Sequence, residues 1–73
     1  MATENVKADI TGTVWKIVTR PGQQLAEEET IMIMESMKME IPVTAPLKGT
    51  LKEILVKEGQ EVSEGQHVAT IET

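Results

Sequence analysis

The chain repeats itself at an offset of 37 residues. When residues 12–35 are laid over residues 49–72, seven positions are identical, which is more than two unrelated β segments share by chance. The identical pairs are Gly12/Gly49, Thr13/Thr50, Ile17/Ile54, Gly22/Gly59, Gln23/Gln60, Glu27/Glu64 and Glu35/Glu72. This repeat predicts a single domain over residues 1–73, built from half-repeats of about 1–36 and 38–73 that a pseudo-two-fold axis relates.

Each half has the pattern of short strands separated by turns. Residues 39–44 alternate between apolar and other side chains, and no window keeps a helical period. Pro21-Gly22 is typical of a type II turn, whose third residue needs a positive φ. Glu28 stands where the second half has Gly65, so a different, glycine-free turn is predicted there. The pattern as a whole predicts an all-β flattened barrel or antiparallel sandwich.

The junction between the halves is the most unusual segment. Residues 30–43 look like one strand, but they are too long for a domain this small. The repeat instead predicts a tight turn at Met37-Lys38, with Ser36 and Met39 on either side. Such turns favour Asn and Gly, so a Met-Lys turn indicates that side-chain identity is kept at a backbone cost. Because Lys38 aligns with Met1, the symmetry places the chain ends opposite Lys38.

Composition excludes several classes of function. The chain has no Cys and a single His, so it offers no nucleophile–base pair and no clustered metal ligands, and we expect neither an enzyme nor a metal site. A net charge of −5 disfavours nucleic acid. No apolar run approaches about 18 residues, and the N-terminus has no signal pattern. We therefore expect no membrane association and a cytoplasmic location.

The segment Glu35-Ser36-Met37-Lys38-Met39-Glu40 resembles the biotinylation signature of biotin carboxyl carrier domains. The resemblance to the biotinyl/lipoyl family extends over nearly the whole chain and includes Pro21-Gly22, the run 45–50 and the run 56–62. It implies a flattened barrel of two four-stranded antiparallel sheets, with Lys38 on an exposed hairpin as the attachment residue. The hairpin that the ligase recognises would then include Glu35, Ser36, Met37 and Met39. Glu35 could instead have a purely structural role, because its repeat mate is also a Glu, and Met39 could be buried.

By the same resemblance, the chain is similar to free-standing biotin/lipoyl attachment proteins. It would carry biotin on Lys38 and move carboxyl groups between the biotin carboxylase and carboxyltransferase of an acyl-CoA type carboxylase, after modification by a biotin protein ligase. A lipoyl carrier modified by a lipoyl ligase is the alternative, and an unmodified assembly module is a third reading. We expect a monomer in isolation. Trp15 is predicted at a partly exposed edge, His67 as a solvated strand residue and residues 27–29 as a solvated turn.

Overall fold

The computed structural model describes residues 2–73, which form eight β-strands. No helix in this part of the chain is long and apolar enough to cross a membrane. The strands are β1 Thr3–Lys7, β2 Gly12–Ile17, β3 Gln24–Leu25, β4 Thr30–Ser36, β5 Met39–Thr44, β6 Gly49–Ile54, β7 Glu61–Val62 and β8 His67–Glu72.

The strands form two four-stranded sheets in which all pairings are antiparallel. One sheet has the order β1-β8-β6-β3, and the other has the order β5-β4-β2-β7. The two orders match when each strand is replaced by its counterpart in the other half of the chain: β1 by β5, β8 by β4, β6 by β2 and β3 by β7. The burial patterns of β2 and β6 are identical, as are those of β3 and β7. The predicted all-β architecture with pseudo-two-fold symmetry is therefore confirmed.

The core repeats as the strands do. Fifteen apolar residues of the described chain are buried, and fourteen of them form seven pairs related by the 37-residue offset. The pairs are Val6/Val43, Ala8/Ala45, Val14/Leu51, Leu25/Val62, Ile31/Val68, Met32/Ala69 and Met34/Ile71. Only Val56 is buried without a buried apolar mate, because its mate is Thr19. The two halves thus contribute almost equally to one shared core.

The turns correct one prediction. Gly22 has a φ of 93°, as the Pro21-Gly22 pattern predicts. The prediction of a different turn at Glu28 is wrong, because Glu28 has a φ of 70° and its mate Gly65 has a φ of 84°. Both residues donate a backbone hydrogen bond of 2.8 Å, Glu28 to the Ala45 carbonyl and Gly65 to the Ala8 carbonyl. The hydrogen bonds hold the first turn in the same left-handed geometry without a glycine.

The sequence predicts solvent exposure for three positions outside the core, which are Trp15, His67 and the acidic run at residues 27–29. Trp15 lies at a β-bulge in β2 and is 48% exposed, which confirms the partly exposed position. His67 is half-buried, with its Nε2 3.0 Å from the Thr70 hydroxyl, so the prediction of a solvated residue is wrong. Within the acidic run, Glu29 is also half-buried, and its carboxylate accepts a hydrogen bond from the Ala26 backbone amide at 2.9 Å.

The chain ends meet in a backbone pair that matches the hairpin between β4 and β5. Ala2 and Thr73 exchange backbone hydrogen bonds of 3.3 and 2.9 Å, and their mates at the 37-residue offset are Met39 and Ser36, which also pair across strands. Met1, the predicted mate of Lys38, lies outside the described residues.

The chain ends and the β4–β5 hairpin lie at opposite ends of the molecule. A Cβ on Gly49 would stand 2.7 Å from the Glu72 carbonyl oxygen, so Gly49 marks the end that holds the chain termini. Gly49 pairs with Leu25, shortly before β4 begins at Thr30. From the end that holds the chain termini, β4 runs for seven residues, or about 23 Å, to the β4–β5 hairpin. The longest dimension of the molecule is 37 Å.

The conformation of Glu28 generates a stability prediction. A side chain costs about 1–2 kcal/mol in the left-handed region, whereas glycine adds about 0.5–1 kcal/mol of backbone entropy loss. We therefore expect Glu28→Gly to raise the free energy of unfolding by about 0.5–1 kcal/mol, measured from urea unfolding curves. Glu27→Gly is the matched control, since Glu27 is not among the residues with a positive φ, and it should destabilise. Equal destabilisation by both variants would contradict the assignment.

Candidate functional site

The five predicted site residues lie together at the hairpin that joins the two halves. Ser36 ends β4, Met39 begins β5, and the two residues pair directly. Met37 and Lys38 form the two-residue connection, with φ values of 51° and 63°. Positive φ at both central residues defines the type I′ turn that suits the twist of a hairpin. The predicted turn, with its shoulders at Ser36 and Met39, is confirmed.

Contacts from Thr11 and from Gly12, the first residue of β2, hold the base of this hairpin. The Ser36 hydroxyl donates a 3.0 Å hydrogen bond to the Thr11 carbonyl. The Thr11 hydroxyl accepts a 3.0 Å hydrogen bond from the backbone amide of Glu64, which links the hairpin to the turn before β8. Gly12 packs so closely that a Cβ there would stand 2.6 Å from the Glu35 carbonyl oxygen. The turn therefore projects from a base that is tied to two other segments.

The side chains at the turn extend into solvent. Lys38 is exposed, Met37 is 88% exposed and Met39 is 58% exposed. The alternative in which Met39 is buried is therefore wrong, because its pairing with Ser36 places it beyond the end of the core. An amine at the tip, with an apolar side chain on each side, is accessible to another protein without any rearrangement of the fold.

Two carboxylates face each other across the hairpin. Glu35 and Glu40 are paired directly, and both are exposed. Like charges at opposed positions of an antiparallel pair are destabilising. The corresponding pair in the other sheet is Glu72 with Thr3, so the scaffold itself does not require the second carboxylate. The acidic pair belongs to the surface around Lys38 together with the two methionines.

The arrangement presents an amine rather than a reaction centre. No group of three or more His, Asp or Glu side chains among residues 2–73 could hold a metal ion. The Lys38 amine can form a covalent bond with an activated acyl group that another protein supplies. The Ser36–Thr11 hydrogen bond and the close packing at Gly12 position the turn that carries this amine.

Sequence reasoning named Glu40 in the signature but not its pairing with Glu35, and it missed the roles of Thr11 and Gly12. The pairing of Glu40 with Glu35 follows from the hairpin register, which the turn assignment at residues 37–38 already fixes. Thr11 gave no signal, because its backbone carbonyl and its hydroxyl act through contacts with distant segments. Gly12 was visible as a repeated glycine, but the close approach of β4 that explains it appears only in three dimensions.

The packing at Gly12 predicts a local loss of stability at the hairpin. Gly12→Ala should lower the free energy of unfolding by about 1–3 kcal/mol, since the new Cβ meets a backbone carbonyl at 2.6 Å. Gly49→Ala is the symmetric control, whose Cβ would meet the Glu72 carbonyl at 2.7 Å. Amide hydrogen exchange should accelerate around residues 34–41 in the first variant and around the chain ends in the second. Unchanged stability in Gly12→Ala would contradict the packing argument.

Comparisons with known proteins show the family of this chain. The family model for the biotin/lipoyl domain, described as "Biotin-requiring enzyme", matches residues 2–71. A biotin/lipoyl attachment protein of Bacillus subtilis is 42% identical over 60 residues, which are 82% of this chain and 82% of that protein. The biotin carboxyl carrier protein of Streptococcus mutans is 36% identical over 70 residues, which are 96% of this chain and 54% of that protein.

A solved structure gives the same result for the fold. The crystal structure of the Kluyveromyces lactis urea carboxylase matches with a TM-score of 0.92 and 34% identity, over 97% of this chain and 6% of that one. The resemblance predicted from the hairpin signature is confirmed. With the family model matching nearly every residue, the chain belongs to the biotin/lipoyl domain family.

Proposed function

We propose that this chain is a biotin carboxyl carrier and that Lys38 is its attachment residue. Biotinylated there, it carries carboxyl groups between the biotin carboxylase and carboxyltransferase components of a biotin-dependent carboxylase of the acyl-CoA type. The observation that carries the proposal is the exposed Lys38 at the tip of a turn built from two non-glycine residues with positive φ. A fold that only needed a turn would use Asn or Gly there.

The attachment reaction requires little of this chain. The Lys38 Nζ forms an amide with the carboxyl carbon of an activated biotin, the bond to the activating group breaks, and the amine loses its proton. The amine must lose a proton in this reaction, and the nearby carboxylates of Glu35 and Glu40 are both exposed to solvent, so the base that accepts the proton is expected on the ligase. The amide removes one positive charge from a chain whose net charge is −5.

After attachment, the chain acts by position. Bound biotin supplies the ureido ring that carries the carboxyl group, and the chain holds this group at the end of the molecule away from its own termini. A partner joined at the termini would leave the Lys38 end free to reach two reaction centres. The contribution to the reaction is then an effective concentration, which tethering raises without new contacts.

The surface around Lys38 supports recognition by a biotin protein ligase. Met37 and Met39 offer soft apolar contacts that fit an irregular pocket, and Ser36 fixes the hairpin through its bond to Thr11. Glu35, together with Glu40, offers two carboxylates to a basic partner surface. We propose these residues as the ligase contact, with Lys38 between them.

Lipoyl attachment is the alternative, since the two modifications share this fold. By resemblance, lipoyl domains have Asp before the Lys and Ala or Val after it, whereas Met holds both places here, which favours biotin. An unmodified assembly module would leave the exposed Lys38 and the strained turn without a purpose. The cytoplasmic location and the monomeric state stay predictions.

The attachment residue is tested by Lys38→Arg. We expect the wild-type chain to gain the mass of one biotinyl group when incubated with ligase, biotin and ATP, and the variant to gain none, because a guanidinium stays charged and cannot attack. Lys48→Arg is the control, since Lys48 is exposed beside Gly49 at the end that holds the chain termini, and it should be modified like the wild type. Biotinylation of Lys38→Arg would overturn the assignment.

The choice between biotin and lipoate is tested by changing the flanking residues. Met37→Asp with Met39→Ala should reduce biotinylation by about tenfold or more, because it removes two apolar contacts and adds a charge at the ligase surface. The same variant should gain activity with a lipoyl ligase relative to the wild type. Intact mass after incubation with each ligase measures both. A wild-type chain that accepts lipoate faster than biotin would favour the alternative.

A further inference from the structure

The methionines of the described chain fall into two sharply different classes. Met32 and Met34 are fully buried at 0% exposure, whereas Met37 and Met39 are 88% and 58% exposed. The exposed pair flanks Lys38 on both sides. No cysteine is present in the sequence, so no thiol competes for a peroxide, and an exposed thioether is the softest nucleophile that the surface offers.

We propose that Met37 and Met39 form a reversible oxidation site that controls attachment at Lys38. The inference rests on the proposed function, since it requires that Lys38 be modified by a ligase. The oxidant is a hydroperoxide, such as hydrogen peroxide, and the reductant is a methionine sulfoxide reductase supplied with a dithiol.

The chemistry balances at each sulfur. The thioether attacks one peroxide oxygen, the O–O bond breaks, and an S=O bond forms, while the proton of the attacked oxygen moves to the departing oxygen. The sulfur loses two electrons, and the peroxide is reduced to water. In the reverse step two thiols supply two electrons, the S=O oxygen leaves as water, and the thiols become a disulfide.

The geometry explains why oxidation would act on recognition rather than on folding. Met37 lies in the turn and Met39 pairs with Ser36 at its edge, so neither sulfur is needed to fill the core. A sulfoxide converts a flexible apolar side chain into a polar one. On both sides of Lys38 the apolar contact for a ligase would become polar, while the Ser36–Thr11 hydrogen bond of 3.0 Å that supports the hairpin would stay in place.

The buried methionines serve as internal controls. Oxidant reaches Met32 and Met34 only when the sheet opens, which is rare in a folded domain. We therefore expect Met37 and Met39 to be oxidised at least about tenfold faster than Met32 and Met34 in the folded chain. Unfolding in urea should remove this difference, because all four thioethers then have similar exposure.

The experiment treats the full unmodified chain with dilute hydrogen peroxide and follows two readouts. Peptide mass spectrometry gives the rate of oxygen addition at each methionine, with the Met1 peptide scored separately. The ligase reaction then gives the rate of biotin attachment to untreated, oxidised and reductase-treated protein. We expect two added oxygens at residues 37 and 39, a fall of about tenfold or more in the attachment rate, and recovery after treatment with the reductases.

Two variants separate the sites. In Met37→Leu/Met39→Leu the ratio of attachment rates with and without peroxide should stay near one, whatever the rate of the untreated variant. In Met32→Leu/Met34→Leu, a volume-conserving change, the wild-type sensitivity should persist. Circular dichroism of the oxidised wild type should keep the β signal, which excludes unfolding as the cause.

The outcomes distinguish this inference from the proposed function. Equal attachment rates for the doubly oxidised and untreated chains would overturn the inference and leave Lys38 as the attachment residue. Oxidation of Met32 and Met34 before the turn residues would also overturn it. Failure of the untreated chain to accept biotin at Lys38 would refute the proposed function and, with it, the control of attachment.

Discussion

Strand pairing between the two halves of the chain holds both sheets together. Of the six strand pairs, β1–β8, β3–β6, β2–β7 and β4–β5 join one half to the other. Each half by itself would retain only one pair, β2–β4 or β6–β8, and a two-stranded ribbon is marginal in water. Since the buried residues are also shared as seven symmetric pairs, neither half can form the core alone. The chain of 73 residues therefore forms one continuous core from two halves, each of which is too small to fold by itself.

The hairpin at Met37-Lys38 is the covalent junction of these interlocked halves, and this explains how it tolerates strain. Two side chains in the left-handed region cost about 1–2 kcal/mol each, which an isolated hairpin could not sustain. Here β4 pairs with β5 from the Thr30–Thr44 pair to the Ser36–Met39 pair. The Ser36 hydroxyl also donates a hydrogen bond to the Thr11 carbonyl at the base of the hairpin. The surrounding structure fixes the turn regardless of its central residues. The identity of those residues is therefore free to serve the recognition and attachment that we propose for them.

The sequence predicted the features that the repeat and the turn patterns encode. The two symmetric halves and the turn at residues 37–38 follow from aligning one half with the other. The two four-stranded sheets and the choice of the five hairpin residues were implied by the resemblance to the biotinyl/lipoyl family. The geometry of the turn at Glu28 was not predicted. The sequence shows that a glycine is missing there, but it does not show the hydrogen bond from the Glu28 backbone amide to the Ala45 carbonyl, which holds Glu28 at a positive φ. His67 failed for a similar reason, since its contact with Thr70 needs the positions of side chains. Local rules fail where a tertiary contact outweighs a local preference.

The symmetry also separates what the fold requires from what the site requires. Positions whose mates share a character, such as Val14 and Leu51 in the core, are explained by packing. Where mates differ at equivalent geometry, the scaffold accepts both residues, and the choice reflects another constraint. Glu40 is the clearest case, because its mate Thr3 occupies the same place opposite Glu72 without like-charge repulsion. A carboxylate that the fold does not need, placed two residues from Lys38, lies on the surface that we propose as the ligase contact.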